Sequence, residues 1–287
     1  ERKTMIAPDD QFDLAIIDAD SIIYQIAHYQ ASPALAKKAF DDKLKEIMTN
    51  TGSLEGAVFV KGIDNFRYSV TADYKGNRKD TMEPEIKERI NKLYEYANSF
   101  CICSDGAEAD DYCGIAGELA LQENKRYVIC HIDKDLDTLP GYHYNFRTTK
   151  LYYMEPKDSY LFLMTQLLTG DSTDNIKGLK SVGPKTAEKI LKDVPITHVW
   201  GRVIETWRSK AGYNWKEDFT KCANLIYIRE YSDDCCELTY EQLEEKLSWT
   251  ITDTGSLSVT DQTEPLDSST TLKTLSQEED ILEENKS

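Results

Sequence analysis

Four groups of carboxylates recur along the chain: Asp18 with Asp20, then Glu108, Asp110 and Asp111, then Asp133 and Asp135, then Asp171 and Asp174. Gathered in one cleft of low dielectric, they would repel one another strongly. Divalent cations relieve that cost, and oxygen ligands without histidine or cysteine favour Mg²⁺ or Mn²⁺ over zinc. The chemistry that suits such a set is metal-assisted phosphodiester hydrolysis. In the two-ion form, with ions about 3.5–4 Å apart, one ion lowers the pKa of the attacking water and the other stabilises the leaving oxygen. A plainer reading stands beside this one. Acids at helix starts are ordinary caps, and with 51 Asp and Glu residues some clusters arise by chance.

The order of the groups along the elements favours the joint reading. Phe12 to Ala19 is a short apolar run that predicts a buried strand with Asp18 at its carboxyl end. A helical pattern follows from Ile22 to Gln30, and another spans Pro33 to Met48. Ala57 to Val60, Phe100 to Cys103 and Arg126 to Ile132 read as further strands, the last one leading directly into Asp133. Between them, Glu83 to Ala97 and Ala107 to Gln122 read as helices, with Glu108, Asp110 and Asp111 in the first turn of the second. Glu108 and Asp111, three apart, share a face, and Asp110 points elsewhere. This alternation predicts an α/β domain with a mostly parallel sheet, whose strand carboxyl ends share one crevice. After residue 155 the patterns turn helical: Asp158 to Leu168, Pro184 to Leu191, His198 to Ala211 and Trp215 to Ile228.

The 287 residues carry a net charge of -17, which argues against a broadly basic, DNA-coating surface but leaves room for local basic patches. From Gly255 onward the chain is rich in Ser, Thr and Glu; Asp261, Glu264, Asp267, Glu278, Glu279, Asp280, Glu283 and Glu284 face only Lys273 and Lys286. That composition predicts a disordered acidic tail, solubilising or in contact with a protein partner. Seven cysteines, several in apolar contexts, suit a reducing compartment. Cys101-x-Cys103 and Cys235-Cys236 lack zinc-ligand spacing, and there are only four histidines. No signal peptide or membrane-spanning run is legible, which predicts a cytoplasmic location. The first residue is Glu1, so the original start is expected to be missing or altered.

Five strings in order, IIDADSIIY (16–24), DYKGNRK (73–79), EADD (108–111), HIDKDLDTL (131–139) and GDSTDNIKGLKSVGPKTAEKIL (170–191), resemble the structure-specific 5′ nucleases, the flap endonuclease and 5′-3′ exonuclease family. The resemblance is closest to the exonucleases of T7-like bacteriophages, and KAGYNWKEDFTKCANLIYIREY extends it to about residue 231. It implies a PIN-like α/β nuclease core over residues 1–155 with a helical arch at 67–97. It further implies a helical DNA-binding portion over 156–254 containing a helix-turn-helix element at 175–191, with the tail from 255 to 287 beyond it.

The resemblance also implies a two-ion Mg²⁺ centre, with Mn²⁺ as a substitute. Glu108, Asp110, Asp111 and Asp133 would hold mainly the first ion, and Asp171 and Asp174 the second. Asp135 lies near both, and Asp18 acts through water. Lys75 and Arg78 would grip the scissile phosphate as catalytic cations beside Asp111 and Asp133. Tyr74, Lys75, Arg78 and Lys79 would meet the single strand. Gly183, Lys185, Thr186 and Lys189 would meet the duplex backbone, with K⁺ between the turn and the DNA. Gly183 permits close approach, free N–H groups around Gly183 to Thr186 suit a phosphate, Pro184 suits a first turn, and Lys185 and Lys189 share a face. One departure stands out: where many family members have Phe-Asp after the second strand, Phe59 is followed by Val60, and the nearest acid is Asp64.

The function so implied is metal-dependent 5′-3′ exonuclease and flap or nick cleavage of double-stranded DNA, leaving 5′-phosphates. Removal of RNA primers from RNA–DNA hybrids would belong to it, during phage replication in the cytoplasm of an infected bacterium. No polymerase portion is expected to be attached. The rival readings are an RNA-directed nuclease with the same chemistry and a non-catalytic binder of DNA junctions.

Overall fold

The computed structural model describes residues 11–30, 32–78, 81–251, 257–259 and 275–276. The apolar run after Phe12 forms β1 (Leu14–Asp18), buried along its whole length. It is followed by α1 (Asp20–Tyr29) and α2 (Pro33–Thr51). Pro33 opens α2 in the first turn, and Gly52 closes it in the left-handed region at φ 65°. Next come β2 (Glu55–Asn65), the one-turn α3 (Arg67–Val70), α4 (Pro84–Ala97), β3 (Ile102–Gly106), α5 (Ala109–Gln122), β4 (Tyr127–His131), β5 (Gly141–Asn145) and β6 (Lys150–Met154).

β1 lies parallel between β2 and β4, β3 adds to β2 in parallel, and β5 adds to β4. β6 returns antiparallel on β5. The result is an α/β architecture with a mostly parallel central sheet and flanking helices. Its apolar layers divide between the two faces. One face packs Ile17, Val58 and Val128 with Ile23, Phe40, Ile47 and Leu93, and the other packs Ile16, Ala57 and Ile129 with Cys113 and Ala116 of α5. This alternation of buried residues along each strand is what covering both faces of a parallel sheet requires.

The hairpin β5–β6 was not legible in the sequence. Its alternation of Tyr, His, Asn and Lys fits an edge that is only half covered. The arch expectation over 67–97 needs correction. Ile90, Leu93, Tyr94 and Ala97 are buried, so α4 packs as a core helix of the α/β layer, and the cleft is reached from this stretch by Tyr68, Lys75, Arg78 and, from α4, Tyr94.

A second core carries the helices α6 (Pro156–Thr169), α7 (Pro184–Leu191), α8 (Ile196–Lys210), α9 (Trp215–Ile226) and α10 (Tyr240–Leu247). Trp200 and Trp207 both pack edge-on to Phe219, and Leu163, Leu167 and Leu243 fill the space around them. Phe66, Val70 and Tyr74 join the same cluster, tying the chain after β2 to the helical portion. Between α6 and α7 a tight hairpin, β7 (Gly170–Asp171) with β8 (Ile176–Lys177), turns the chain through Asp174. A side chain at Gly178 would lie 2.1 Å from the Thr169 carbonyl carbon, so only glycine fits there. The expected tail lies outside the described residues, apart from short strands β10 (Leu257–Val259) and β11 (Leu275–Ser276). The former pairs with β9 (Trp249–Ile251) and the latter with β2.

Candidate metal centre

The carboxyl ends of β1 and β4 and the start of α5 converge on one cleft. Asp18, Glu108, Asp110 and Asp133 line it together with Asp20 and Asp64, and Lys75, Arg78 and Arg147 stand beside them. A smaller adjoining recess shares Glu108 and Asp110 and adds Asp135, Asp171 and Asp174. Seven of the eight acids expected at the centre therefore line these two spaces, with Glu108 and Asp110 common to both. Asp64, five residues past Phe59, lines the same cleft as the others.

Local geometry aims these groups. Glu108 precedes the first turn of α5, and its own N–H donates to Asp111 Oδ2 at 3.0 Å, reciprocal capping that accounts for their three-residue spacing. Asp133 caps the short 3₁₀ turn Lys134–Thr138 by accepting the Asp135 N–H at 2.9 Å. Gln166 Nε2 of α6 donates to Asp135 at 2.6 Å. Asp171 accepts the Thr173 N–H at 2.6 Å, which stiffens the β7–β8 turn. That turn is stitched to the basic string: Lys75 N–H donates to the Asp174 carbonyl at 2.9 Å, Asn77 to the Ser172 carbonyl at 2.7 Å, and Asn175 to the Asp73 carbonyl at 2.8 Å. These bonds hold Lys75 in the left-handed region at φ 54°, a costly conformation for a residue with a side chain.

The electrostatics show a site short of positive charge. Burial, reinforced by Asp20, pushes the Asp18 carboxyl up to about 8. Burial also lifts Asp110 well above the carboxylate range, with Asp111 and Glu108 adding repulsion. Asp135 is raised by burial despite its contact with Lys134. Asp171 goes the other way: burial opposes it, but the Thr173 N–H and Lys134 hold it low. Side-chain cations supply part of the missing charge. Lys75 pairs with Glu108, and Arg78 pairs with Asp174. Lys134 bridges Asp135 at 2.6 Å and Asp171 at 3.1 Å. An all-oxygen donor set whose members resist ionisation together fits hard divalent cations such as Mg²⁺.

These shifts set a pH dependence. A raised carboxyl stabilises the fold fully below its unfolded value, and that stability is lost as pH rises through the folded value. The metal-free protein is therefore expected to lose melting temperature as pH rises from about 4, the ordinary carboxylate value, through the Asp18 transition near 8. Mg²⁺ should raise the melting temperature by an amount that grows over the same window. Differential scanning fluorimetry at several pH values, with and without Mg²⁺, checks this; a Mg²⁺ effect that shrinks with rising pH would contradict it.

Three sequence expectations change. Asp111 lines neither the cleft nor the recess, and it is 0 % exposed. Arg67 donates to its two oxygens at 2.5 and 2.9 Å, and the N–H groups of Arg229 and Glu108 add bonds at 2.9 and 3.0 Å. Those four bonds use its acceptor capacity. Asp111 thus acts as a buried anchor. Burial alone would raise its carboxyl, but the Arg67 guanidinium outweighs that and holds it low. Tyr74, expected at the single strand, is only 3 % exposed, and its hydroxyl donates to Glu108 at 2.8 Å. It orients a carboxylate and offers no face for stacking. The Thr186 N–H, expected free for phosphate, donates to the Gly183 carbonyl at 2.9 Å.

Lys185, Thr186 and Lys189 are exposed on α7, while Ala187 and Leu191 face inward. Gly183 precedes the helix with open space where a side chain would stand. Lys79 lies outside the described residues. Sequence reasoning missed Lys134, whose signal was its place between Asp133 and Asp135. It also missed Arg67, whose partners at Asp111 and at the Leu225 and Tyr227 carbonyls are remote in sequence. Asp20 accepts the Lys61 N–H and the Tyr94 hydroxyl, both at 2.9 Å, and so braces the loop behind Asp18.

Residues 13–161 match the model of the 5′-3′ exonuclease N-terminal resolvase-like domain. The chain belongs to this 5′-3′ exonuclease family. Among curated relatives, DNA polymerase I of Bacillus caldotenax is 29% identical over 205 residues, covering 62% of this chain and 23% of that protein. DNA polymerase I of Lactococcus lactis strain IL1403 is 30% identical over 217 residues, 63% of this chain and 24% of that protein. The chain thus spans less than a quarter of the length of these polymerases. The flap endonuclease of bacteriophage T5, solved in complex with DNA and metal ions, shares the exonuclease-family fold at a TM-score of 0.62 and 17% identity, over 77% of this chain and 90% of that one. Among the described residues, no helix is long and apolar enough to cross a membrane.

Proposed function

We propose that the chain is a two-metal, structure-specific 5′ nuclease that cuts DNA at a 5′ end, nick or flap and leaves 5′-phosphate and 3′-hydroxyl ends. The carrying observation is the sharing of Glu108 and Asp110 between the cleft that holds Asp18 and Asp133 and the recess that holds Asp135, Asp171 and Asp174. Bound there, Mg²⁺ would supply Lewis acidity at the phosphate and lower the pKa of a nearby water. The chain's own residues would do the rest. Lys75 and Arg78, paired with Glu108 and Asp174 in the free protein, sit at the cleft and can turn to the phosphoryl oxygens once those carboxylates engage cations. Gln166, Tyr74 and the capping N–H groups would keep the carboxylates aimed.

In this reading the core is PIN-like, and the stretch 175–191, expected as a helix-turn-helix but folded as strand β8, a turn at Gly183 and the single helix α7, serves as the duplex contact. Lys185, Thr186 and Lys189 would contact duplex phosphates without reading bases, with K⁺ held at the turn. Lys185→Ala with Lys189→Ala is expected to weaken duplex binding and to flatten the slope of log K against log salt by about 1.8. Fluorescence anisotropy at several salt concentrations checks this, and an unchanged slope removes α7 from the interface. The resemblance to the exonucleases of T7-like bacteriophages, carried by the strings from residue 16 to 191 and extended to about residue 231, supports a role in phage replication, in the cytoplasm of an infected bacterium.

The test of substrate class is a time course on 5′-labelled blunt, nicked and flapped DNA duplexes, with matched RNA and RNA–DNA hybrids, in Mg²⁺. Preference for flapped or nicked DNA, with hybrid cleavage as a slower activity, is the expected result. Faster cleavage of RNA throughout would favour the RNA-directed reading, and tight junction binding without cleavage would favour a non-catalytic binder.

A further inference from the structure

Beneath the cleft, His131 at the end of β4 and His143 of β5 stand edge to face with their ring centres 5.0 Å apart. Their outer nitrogens both meet backbone carbonyls: His131 Nδ1 lies 2.5 Å from the Asp133 oxygen, and His143 Nε2 lies 3.0 Å from the Leu139 oxygen. A carbonyl only accepts, so each outer nitrogen carries the ring's proton. The inner nitrogens, His131 Nε2 and His143 Nδ1, then face each other at 2.8 Å as two acceptors, with the Tyr152 hydroxyl, which donates to Asp137, a longer 3.4 Å from His131 Nε2. Two buried acceptors cannot bond one another, and the pair needs a positive species between them.

We propose that His131, His143 and Asp137 form a second metal site, separate from the carboxylate centre, that binds one borderline transition ion of the Zn²⁺ class. The nearest carboxylate supplies the third ligand: Asp137 Oδ1 lies 3.9 Å from His131 Nε2, and the three ligand atoms fall within 4.8 Å of one another. With metal–nitrogen bonds of about 2.0–2.1 Å, a 2.8 Å separation corresponds to an angle near 85° at the ion, and a slight opening of the rings reaches tetrahedral spacing. Imidazole ligands suit Zn²⁺ and disfavour Mg²⁺.

The surroundings fit as well. Metal-binding histidines usually donate their other N–H to a carbonyl or carboxylate, as both rings do here. The Tyr152 hydroxyl donates to Asp137 Oδ1 at 2.6 Å and orients it, and the Tyr152 ring stacks on His143. None of the three ligands lines the cleft, and Asp137, 28% exposed, provides the way in. The ion would pin the loop bearing Asp133 to the β5–β6 hairpin.

The test strips the full chain with chelator and adds one equivalent of Zn²⁺ in a large excess of Mg²⁺, which occupies the all-oxygen centre. Gel filtration and elemental analysis then count the zinc retained. One zinc per chain is expected for the wild type, with at least a tenfold loss of zinc affinity in both His143→Gln and Asp137→Ala. The Asp137 variant, at a partly exposed position, decides the matter if His143→Gln fails to fold. No retained zinc in the wild type, or equal retention in Asp137→Ala, would overturn the site and leave a shared proton as the bridge.

Discussion

Asp110→Asn is expected to lower phosphodiester cleavage by about a thousandfold or more, while raising the melting temperature of the metal-free protein. The two effects have one cause. Asp110 lines both the cleft and the recess, so its carboxylate is placed to serve either ion. Its surroundings also penalise it: burial raises its carboxyl, and Asp111 and Glu108 add repulsion. An amide of the same shape keeps the contact with the Asp111 N–H, 2.7 Å away, through its carbonyl oxygen and removes the charge. Function should collapse because several kcal/mol of charge stabilisation at the phosphate is lost. Stability should rise because a carboxyl that burial, Asp111 and Glu108 all push up is replaced by a neutral amide. DNA affinity measured in Ca²⁺ or without metal should change little. A variant that cleaves normally, or that melts lower without metal, would contradict this role for Asp110.

The second large effect lies in the anchor behind the centre. Arg67→Ala is expected to cost about 3–5 kcal/mol, because breaking a buried ion pair leaves an uncompensated charge. Arg67 is 1 % exposed, binds Asp111 through both terminal nitrogens, and donates to the carbonyls of Leu225 and Tyr227 at 3.0 and 3.2 Å. It therefore locks the start of α5, with Glu108 at its cap and Asp110 in its first turn, to the end of α9. For a chain of this size the melting temperature should fall by roughly 10 °C. Arg67→Lys should rescue little, since a single ammonium cannot span two carboxylate oxygens and two carbonyls. Asp111→Asn should destabilise by a similar amount, and combining it with Arg67→Ala should cost less than the sum of the two. Strict additivity in chemical denaturation would show that the pair is not coupled.

What the sequence revealed and what it concealed follow the range of the interactions. Strands β1 and β4 and helix α7 were legible because apolar runs and a Pro-led amphipathic turn are local signals. The positions of Asp18 and Asp133 followed, since each lies at or just past the carboxyl end of a parallel strand. Asp111 could not be told from a metal ligand, because its anchor, Arg67, sits 44 residues away. Tyr74 looked like a surface aromatic among cations, and only the packing of Phe66, Val70 and Tyr74 on the helical core turned its hydroxyl to Glu108. The His131–His143 pair escaped a search based on ligand spacing because β4 and β5 bring the rings together across a sheet ladder. Even the reach of Lys134 to Asp171 depends on the β7–β8 hairpin, which no periodicity marks.

The central claim is that the carboxylates around Glu108 and Asp110 hold divalent ions for phosphodiester hydrolysis. The most direct measurement follows release of product from a 5′-labelled flapped duplex by the wild-type chain, in Mg²⁺ and in excess chelator, with the product ends identified. The predicted result is cleavage that requires Mg²⁺, is restored by Mn²⁺, and leaves 5′-phosphates and 3′-hydroxyls. Equal cleavage in chelator, or no cleavage with any divalent ion, would contradict it.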